Sequence, residues 1–190
     1  MVLPIYLYGH PVLRTETKTV TPDFPDLDKL IQNMKETMYA TDGIGIAAPQ
    51  VGVSARLVYI DVDVLKDDLP ELAGVNIVLI NPEITVDESV EPVTREEGCL
   101  SIPDIHENVK RYERIHIRYA DENWVIHEKD IEGYLARVIQ HECDHLNKTL
   151  FTDHVEGYRK VMIRNKLLNI AKGKIDCKYR VKTAPKLHRK

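Results

Sequence analysis

Two histidines four residues apart, with a glutamate beside the first, open the case for chemistry in this chain: His141-Glu142-Cys143-Asp144-His145. On an α-helix of about 3.6 residues per turn, positions i and i+4 share a face. Both imidazoles can then reach one cation, with Glu142 projecting from a neighbouring direction. A catalytic centre of this type takes three protein ligands and leaves a fourth position to a water whose pKa the cation lowers toward neutrality. The third ligand has to come from elsewhere. In the motif where a glycine and a third histidine follow, this chain carries Lys148 and Phe151, which excludes that class. A downstream carboxylate would be Glu156, close behind at the start of the next predicted helix. Upstream, Glu97-Gly98-Cys99-Leu100-Ser101 presents a thiol beside a flexible glycine in a short polar–apolar segment. A thiolate completing a His–His site is chemically favourable, so Cys99 is the better candidate of the two. A third segment, Gly43-Ile44-Gly45-Ile46-Ala47-Ala48-Pro49-Gln50, is crowded with small residues that let another backbone approach closely. It suits a substrate-binding ledge, or only a tight turn after a helix.

These residues need elements to position them. From Asp26, Leu27, Leu30, Ile31, Met34 and Met38 recur at helical spacing, with Gly43 as the stop. β-rich runs follow at 56–62 and 76–80, the second closed by Asn81-Pro82 because proline lacks a donor; Ile84 and Val86 begin another strand. Ile115, Ile117 and Tyr119 alternate with Arg114, His116 and Arg118, giving one apolar face and one wet face, and Trp124 to His127 pairs nearby. Leu135, Val138, Ile139 and Leu146 mark the helix that carries the two histidines, entered near Gly133 and ending near Asn147 in a left-handed position. Val155, Tyr158, Met162, Ile163, Leu167 and Ile170 predict a last helix, before Gly173 and a lysine-rich end that frays. The fold class is α+β: antiparallel β-sheets packed around a central metal-binding helix, with an N-terminal helix and a C-terminal helix.

At 190 residues and 43% apolar content the chain reads as one globular domain, residues 1–172, followed by a basic tail, residues 173–190. No apolar run approaches the length of a membrane span, and the start lacks the pattern of a signal peptide, so the expected place is the cytoplasm. Three cysteines are too few and too uneven for a disulfide scaffold. Cys143 lies about 200° around the helix from His141 and so faces the core. Asp144 either orients a ligand imidazole or is a helix-surface charge. The net charge of −4 conceals an asymmetry, since residues 159–190 hold 12 of the 26 Lys and Arg and a single acid, Asp176. That end is either a solvated helix face or a surface that docks on ribosomal RNA through its phosphates.

In this order the three segments resemble the three signature motifs of peptide deformylases: Gly43-x-Gly45-x-Ala47-Ala48-x-Gln50, Glu97-Gly98-Cys99-Leu100-Ser101, and Gln140-His141-Glu142-x-Asp144-His145-Leu146. Pro11-Val12-Leu13-Arg14 is similar to the family's N-terminal region, so the resemblance runs to about Phe151. It implies an enzyme that removes formate from the N-formylmethionyl end of nascent polypeptides. It also implies that Cys99, His141 and His145 hold the metal, commonly Fe²⁺, with Zn²⁺, Ni²⁺ or Co²⁺ able to take the same ligands. Glu142 would take a proton from the attacking metal-bound water and return one to the leaving amine. The oxyanion would meet the metal, the Gln50 amide and the Leu100 backbone N–H. Gly45 would touch the substrate backbone, and Ile44 and Val138 would line the pocket for its methionine side chain. Two positions depart from the pattern. His106 stands where the family often has another basic residue, and Lys148 where it often has glycine.

Two other functions share parts of this evidence. The His141–His145 helix alone would serve a metallopeptidase of the His-Glu-x-x-His type, which needs neither Cys99 nor Gln50. A non-enzymatic metal- or RNA-binding module would use the tail and could dispense with Glu142.

Overall fold

The computed structural model describes residues 1–185. Its elements run β1 (Ile5–Tyr6), α1 (Leu27–Ala40), β2 (Gly45–Ala47), β3 (Leu57–Asp61), β4 (Asn76–Val86), β5 (Val93–Cys99), β6 (Ile102–Arg111), β7 (Arg114–Ala120), β8 (Ile126–Glu132), α2 (Gly133–Leu146), α3 (Gly157–Ala171) and β9 (Val181–Lys182). Strands β2-β3-β4-β7-β8 form one antiparallel sheet in that order, β5 and β6 a separate antiparallel hairpin, and β1 and β9 a short parallel pair. This is the expected α+β arrangement.

The large sheet is covered on both faces, which is why β3 and β4 read as continuous apolar runs. Leu57, Tyr59, Val78 and Ile80 turn to one core with Met34 and Met38 of α1. Val58, Ile60 and Leu79 turn to the other, with Ala136, Ile139, Cys143 and Leu146 of α2. Helix α2 thus lies between the sheet's second face and the β5–β6 hairpin, and it carries both histidines of the motif.

The structure corrects several expectations. Asn81-Pro82 does not end a strand: β4 runs through it as a bulge, with register shifting between Ile80↔Ala120 and Glu83↔Arg118. Asn81 adopts a left-handed φ of 52°, and its side chain bonds both the N–H and the C=O of Val20, each at 2.8 Å. That bridge holds the backbone where proline cannot donate. Helix α1 ends at Ala40, and between it and Gly43, the expected stop, Asp42 takes the left-handed conformation. Gly43 answers instead to space, since a Cβ there would lie 3.1 Å from Leu100 Cδ1. Likewise Lys148, with φ 63°, takes the left-handed place after α2 that was expected of Asn147. Helix α3 buries Ile163 and Ile170, but Tyr158 and Met162 point outward, 75% and 52% exposed. The helix carries two apolar stripes, and only one can face the core.

The chain beyond Gly173 does not fray at once. Gly173 turns it at φ 69°, Ile175, Cys177, Tyr179 and Val181 pack against the core, and Val181–Lys182 pairs with Ile5–Tyr6. Lys186, His188, Arg189 and Lys190, the last part of the expected basic tail, lie outside the described residues.

Candidate active site

Cys99 ends β5, at the mouth of the turn into β6. That turn faces the side of α2 that presents His141 and His145, whose rings are 5.3 Å apart, centre to centre. One ligand atom from each of Cys99, His141 and His145 lies within 4.8 Å of the others, with Cys99 Sγ 3.3 Å from His145 Nε2. Glu156 immediately precedes α3 and stands outside this group.

Around the thiol the electrostatics are those of a cation site. Burial by itself would push Cys99 up, but facing charge from His145 and hydrogen bonds from both imidazoles outweigh it and hold the thiol at about 5. Burial would lower His141, yet its bonds to Cys99 and Glu97 push it well above the ordinary histidine range. The buried His145 Nδ1 and Glu142 Oε2 have no hydrogen-bond partner. One sulfur and two nitrogens suit a divalent first-row cation, and the residues fit one.

A residue that the sequence reading quoted but gave no role orients the site. Glu97, nearly buried, accepts from or pairs with three groups: its Oε2 lies 2.9 Å from His141 Nδ1, Arg111 Nε donates at 2.9 Å and Arg137 Nη1 at 2.7 Å. Burial would raise this carboxyl, but the His141 and Arg111 contacts hold it well below the usual carboxylate range. Fixing Nδ1 leaves His141 Nε2 to face the cation, the usual arrangement for a metal-binding imidazole. Asp144 lies one step further out, receiving Arg111 Nη1 at 2.7 Å and facing His154 Nε2 at 2.7 Å. It orients Arg111 and the His154 ring, not a ligand imidazole. The sequence signal for Glu97 was its place two residues before the thiol.

Glu142 is 4% exposed, and burial, offset by His141 and His145, raises its carboxyl above the normal range. Gly45 makes room for it: a Cβ on Gly45 would stand 2.5 Å from Glu142 Oε1. Gln50 is held by its own backbone turn, its Oε1 accepting from Ala47 N–H at 2.8 Å, while its Nε2 points at Cys99 Sγ from 3.5 Å. Leu100 forms the turn after Cys99. Ile44, Gly45, Gln50, Leu100, Val138 and Glu142 all line one cavity of about 380 Å³, with Tyr134, His106 and Tyr179 further along its wall. Every residue that the sequence reading placed in the site therefore meets at this cavity or at the ligand cluster beside it.

A buried carboxyl beside a Cys–His–His cluster, opening on a substrate-sized cavity, defines a mononuclear metallohydrolase. The family model for polypeptide deformylase matches residues 2–161. A peptide deformylase of Christiangramia forsetii is 46% identical over 189 residues, covering 96% of each chain. One from Salinibacter ruber is 45% identical, covering 94% of this chain and 93% of its own. Among solved structures, the peptide deformylase of Thermus thermophilus superposes with a TM-score of 0.79 at 37% identity, over 92% of this chain and all of that one. The chain belongs to the polypeptide deformylase family.

Proposed function

We propose that this chain hydrolyses the N-terminal formyl group of newly made polypeptides, with Cys99, His141 and His145 as metal ligands, Glu142 as the proton carrier, and Gln50 and the Leu100 N–H as oxyanion donors. The observation that carries the reading is a buried Glu142 carboxyl packed against Gly45 beside the convergent ligand atoms. When bound, the cation supplies the Lewis acidity that makes water a nucleophile near neutral pH. Fe²⁺ is the metal we assign, and Zn²⁺, Ni²⁺ or Co²⁺ suits the same donors.

Glu142 takes a proton as water adds to the formyl carbon, and delivers one to the amine nitrogen as the C–N bond breaks, leaving formate and a free N-terminus. Its raised carboxyl suits an acid that must both accept and give. The Gln50 Nε2 donor is fixed before reaction by the Ala47 contact, so little reorganisation opposes charge growing on the formyl oxygen. Ile44 and Val138 give the cavity an apolar wall that suits a methionine side chain, and Gly45 exposes backbone beside it. Among the described residues no helix is long and apolar enough to cross a membrane, and we place the enzyme in the cytoplasm. The basic C-terminal end, residues 159–190, favours docking on ribosomal RNA, which deletion of residues 173–190 and co-sedimentation at low and high salt tests.

Anaerobically handled protein is to be given a formyl-Met peptide and its acetyl counterpart. Formate without acetate is expected, and Glu142→Gln should lower formate release about 10²- to 10⁴-fold with metal content unchanged. Cleavage of internal peptide bonds, or full activity in the variant, would overturn the reading.

A further inference from the structure

The polypeptide deformylase match ends at residue 161, yet a side chain from well beyond it stands in the active-site wall. Tyr179 lines the same cavity as Gln50 and Glu142, and its hydroxyl donates to the Leu100 carbonyl at 2.7 Å. Leu100 belongs to the turn joining β5 to β6, immediately after Cys99. The next carbonyl of that turn, on Ser101, accepts from the Tyr8 N–H at 2.8 Å.

These two anchors are themselves tied together. Tyr8 follows β1 and Tyr179 precedes β9, and the two strands pair through Ile5 N–H to the Arg180 carbonyl and Leu7 N–H to the Lys182 carbonyl, each 2.9 Å. The path of the returning segment is set as well. Gly9 has no room for a Cβ, which would lie 2.6 Å from Ala171 Cβ, and Gly173 turns the chain at φ 69°. Two consecutive carbonyls of the thiol-bearing turn are therefore gripped by opposite ends of the sequence. Burial pushes the Tyr179 hydroxyl above the ordinary tyrosine range, so it keeps its proton and stays a donor.

We propose that Tyr179 is a positioning residue for hydrolysis, whose hydroxyl holds the carbonyl of the Leu100–Ser101 peptide and so, with the Tyr8 bond to Ser101, fixes the turn that carries the Leu100 N–H toward the developing oxyanion, while the side chain walls the substrate cavity. This rests on the reading of Leu100 as an oxyanion donor. A donor fixed before reaction acts in the transition state more than in substrate binding, so loosening it lowers kcat rather than raising KM. Losing the ring removes a cavity wall and raises KM.

Tyr179→Phe keeps the ring and drops the donor. With full-length protein, formyl-Met tripeptide as substrate and assays well below the unfolding midpoint, we expect kcat to fall about 5- to 20-fold, with KM within about twofold and metal content unchanged. Tyr179→Ala should show the same kcat loss plus a rise in KM. The parent enzyme is the control for the reaction itself: no formate from it refutes the function, not the role of Tyr179. If the parent is active and Tyr179→Phe matches it in kcat, or loses kcat only in proportion to lost metal, the positioning role is overturned. A lower unfolding midpoint with unchanged kcat overturns it equally, because that is the signature of a structural contact alone.

Discussion

Helix α2 has two kinds of neighbour, and each receives one cysteine. Toward the large sheet, Cys143 packs among buried aliphatic side chains, and burial drives its thiol up to about 12. Toward the β5–β6 hairpin, Cys99 is held at about 5 although burial acts on it in the same direction. Removal from water is thus not what makes a thiol reactive or ligating; facing charge is. The two sides also cohere differently. The sheet side is held by many small apolar contacts, each replaceable at modest cost. The hairpin side is a chain of charges, Arg137–Glu97–Arg111–Asp144, with His141 attached to Glu97 and His154 hydrogen-bonded to Asp144. Removing Glu97 leaves the buried Arg137 without its carboxylate and Arg111 with only Asp144.

The largest test of this contrast is to replace the thiol on the charged side. Cys99→Ser should lose nearly all bound metal after dialysis, and formate release with it, because a hydroxyl is a poor substitute for a thiolate in a Cys–His–His site. In metal-stripped parent protein, alkylation should reach Cys99 with a midpoint near pH 5, while Cys143 stays unreactive at neutral pH. Peptide mapping that found Cys143 labelled first would end the comparison.

Next in size is Glu97→Gln, which breaks the charge chain while keeping its shape. Metal affinity should fall about 10- to 100-fold, as when other partners of ligand imidazoles are removed. The pH dependence has a definite sign. Glu97 is depressed in the folded state, so its contribution is full above its unfolded value of 4.5 and is lost as pH falls below that. The variant should therefore be about 3–5 kcal/mol less stable at neutral pH and show a flatter loss of stability below pH about 4.5 in denaturant titrations. An acid limb identical to the parent's would show that Glu97 is not what the network depends on.

Why the sequence revealed one side of α2 more fully than the other follows from the same contrast. Ala136, Ile139, Cys143 and Leu146 are apolar at helical spacing, so their face could be read directly, as could β7 from Ile115, Ile117 and Tyr119. The ligand triad was legible because ligation demands rare residue types. The hairpin that carries Cys99 was not, since the inward positions of β6 include Glu107 and Arg111 among Ile102, Ile105 and Val109. A buried charge looks like a surface charge until its partner is known, and Arg111 finds its own 14 residues away in Glu97. The returning segment escaped for a related reason: Val181–Lys182 is too short and too basic to suggest a strand, and only pairing with β1 explains it.

A smaller effect is expected on the apolar side. Cys143→Ser should keep metal and activity but cost about 1–3 kcal/mol, because it buries a hydroxyl among apolar side chains, where it can bond at best the carbonyl one turn earlier in α2. Loss of metal in this variant would mean that the two sides are not separate.

The smallest effect comes from the end of the helix, where neither side is touched. Lys148 holds φ 63°, a conformation in which a side chain is crowded by the following carbonyl and glycine is not. What that residue contributes is backbone: its carbonyl accepts from Arg14 Nη1 at 2.7 Å, and the turn closes through Thr149 N–H to the Asp144 carbonyl at 2.9 Å. Lys148→Gly keeps both bonds and removes the crowding, though glycine's freer unfolded chain takes back part of the gain. We expect a net stabilisation of about 0.5–1 kcal/mol, or about 1–4 °C in Tm, with kcat, KM and metal content unchanged. A lower Tm would mean that the Lys148 side chain stabilises the helix end by more than its backbone strain costs.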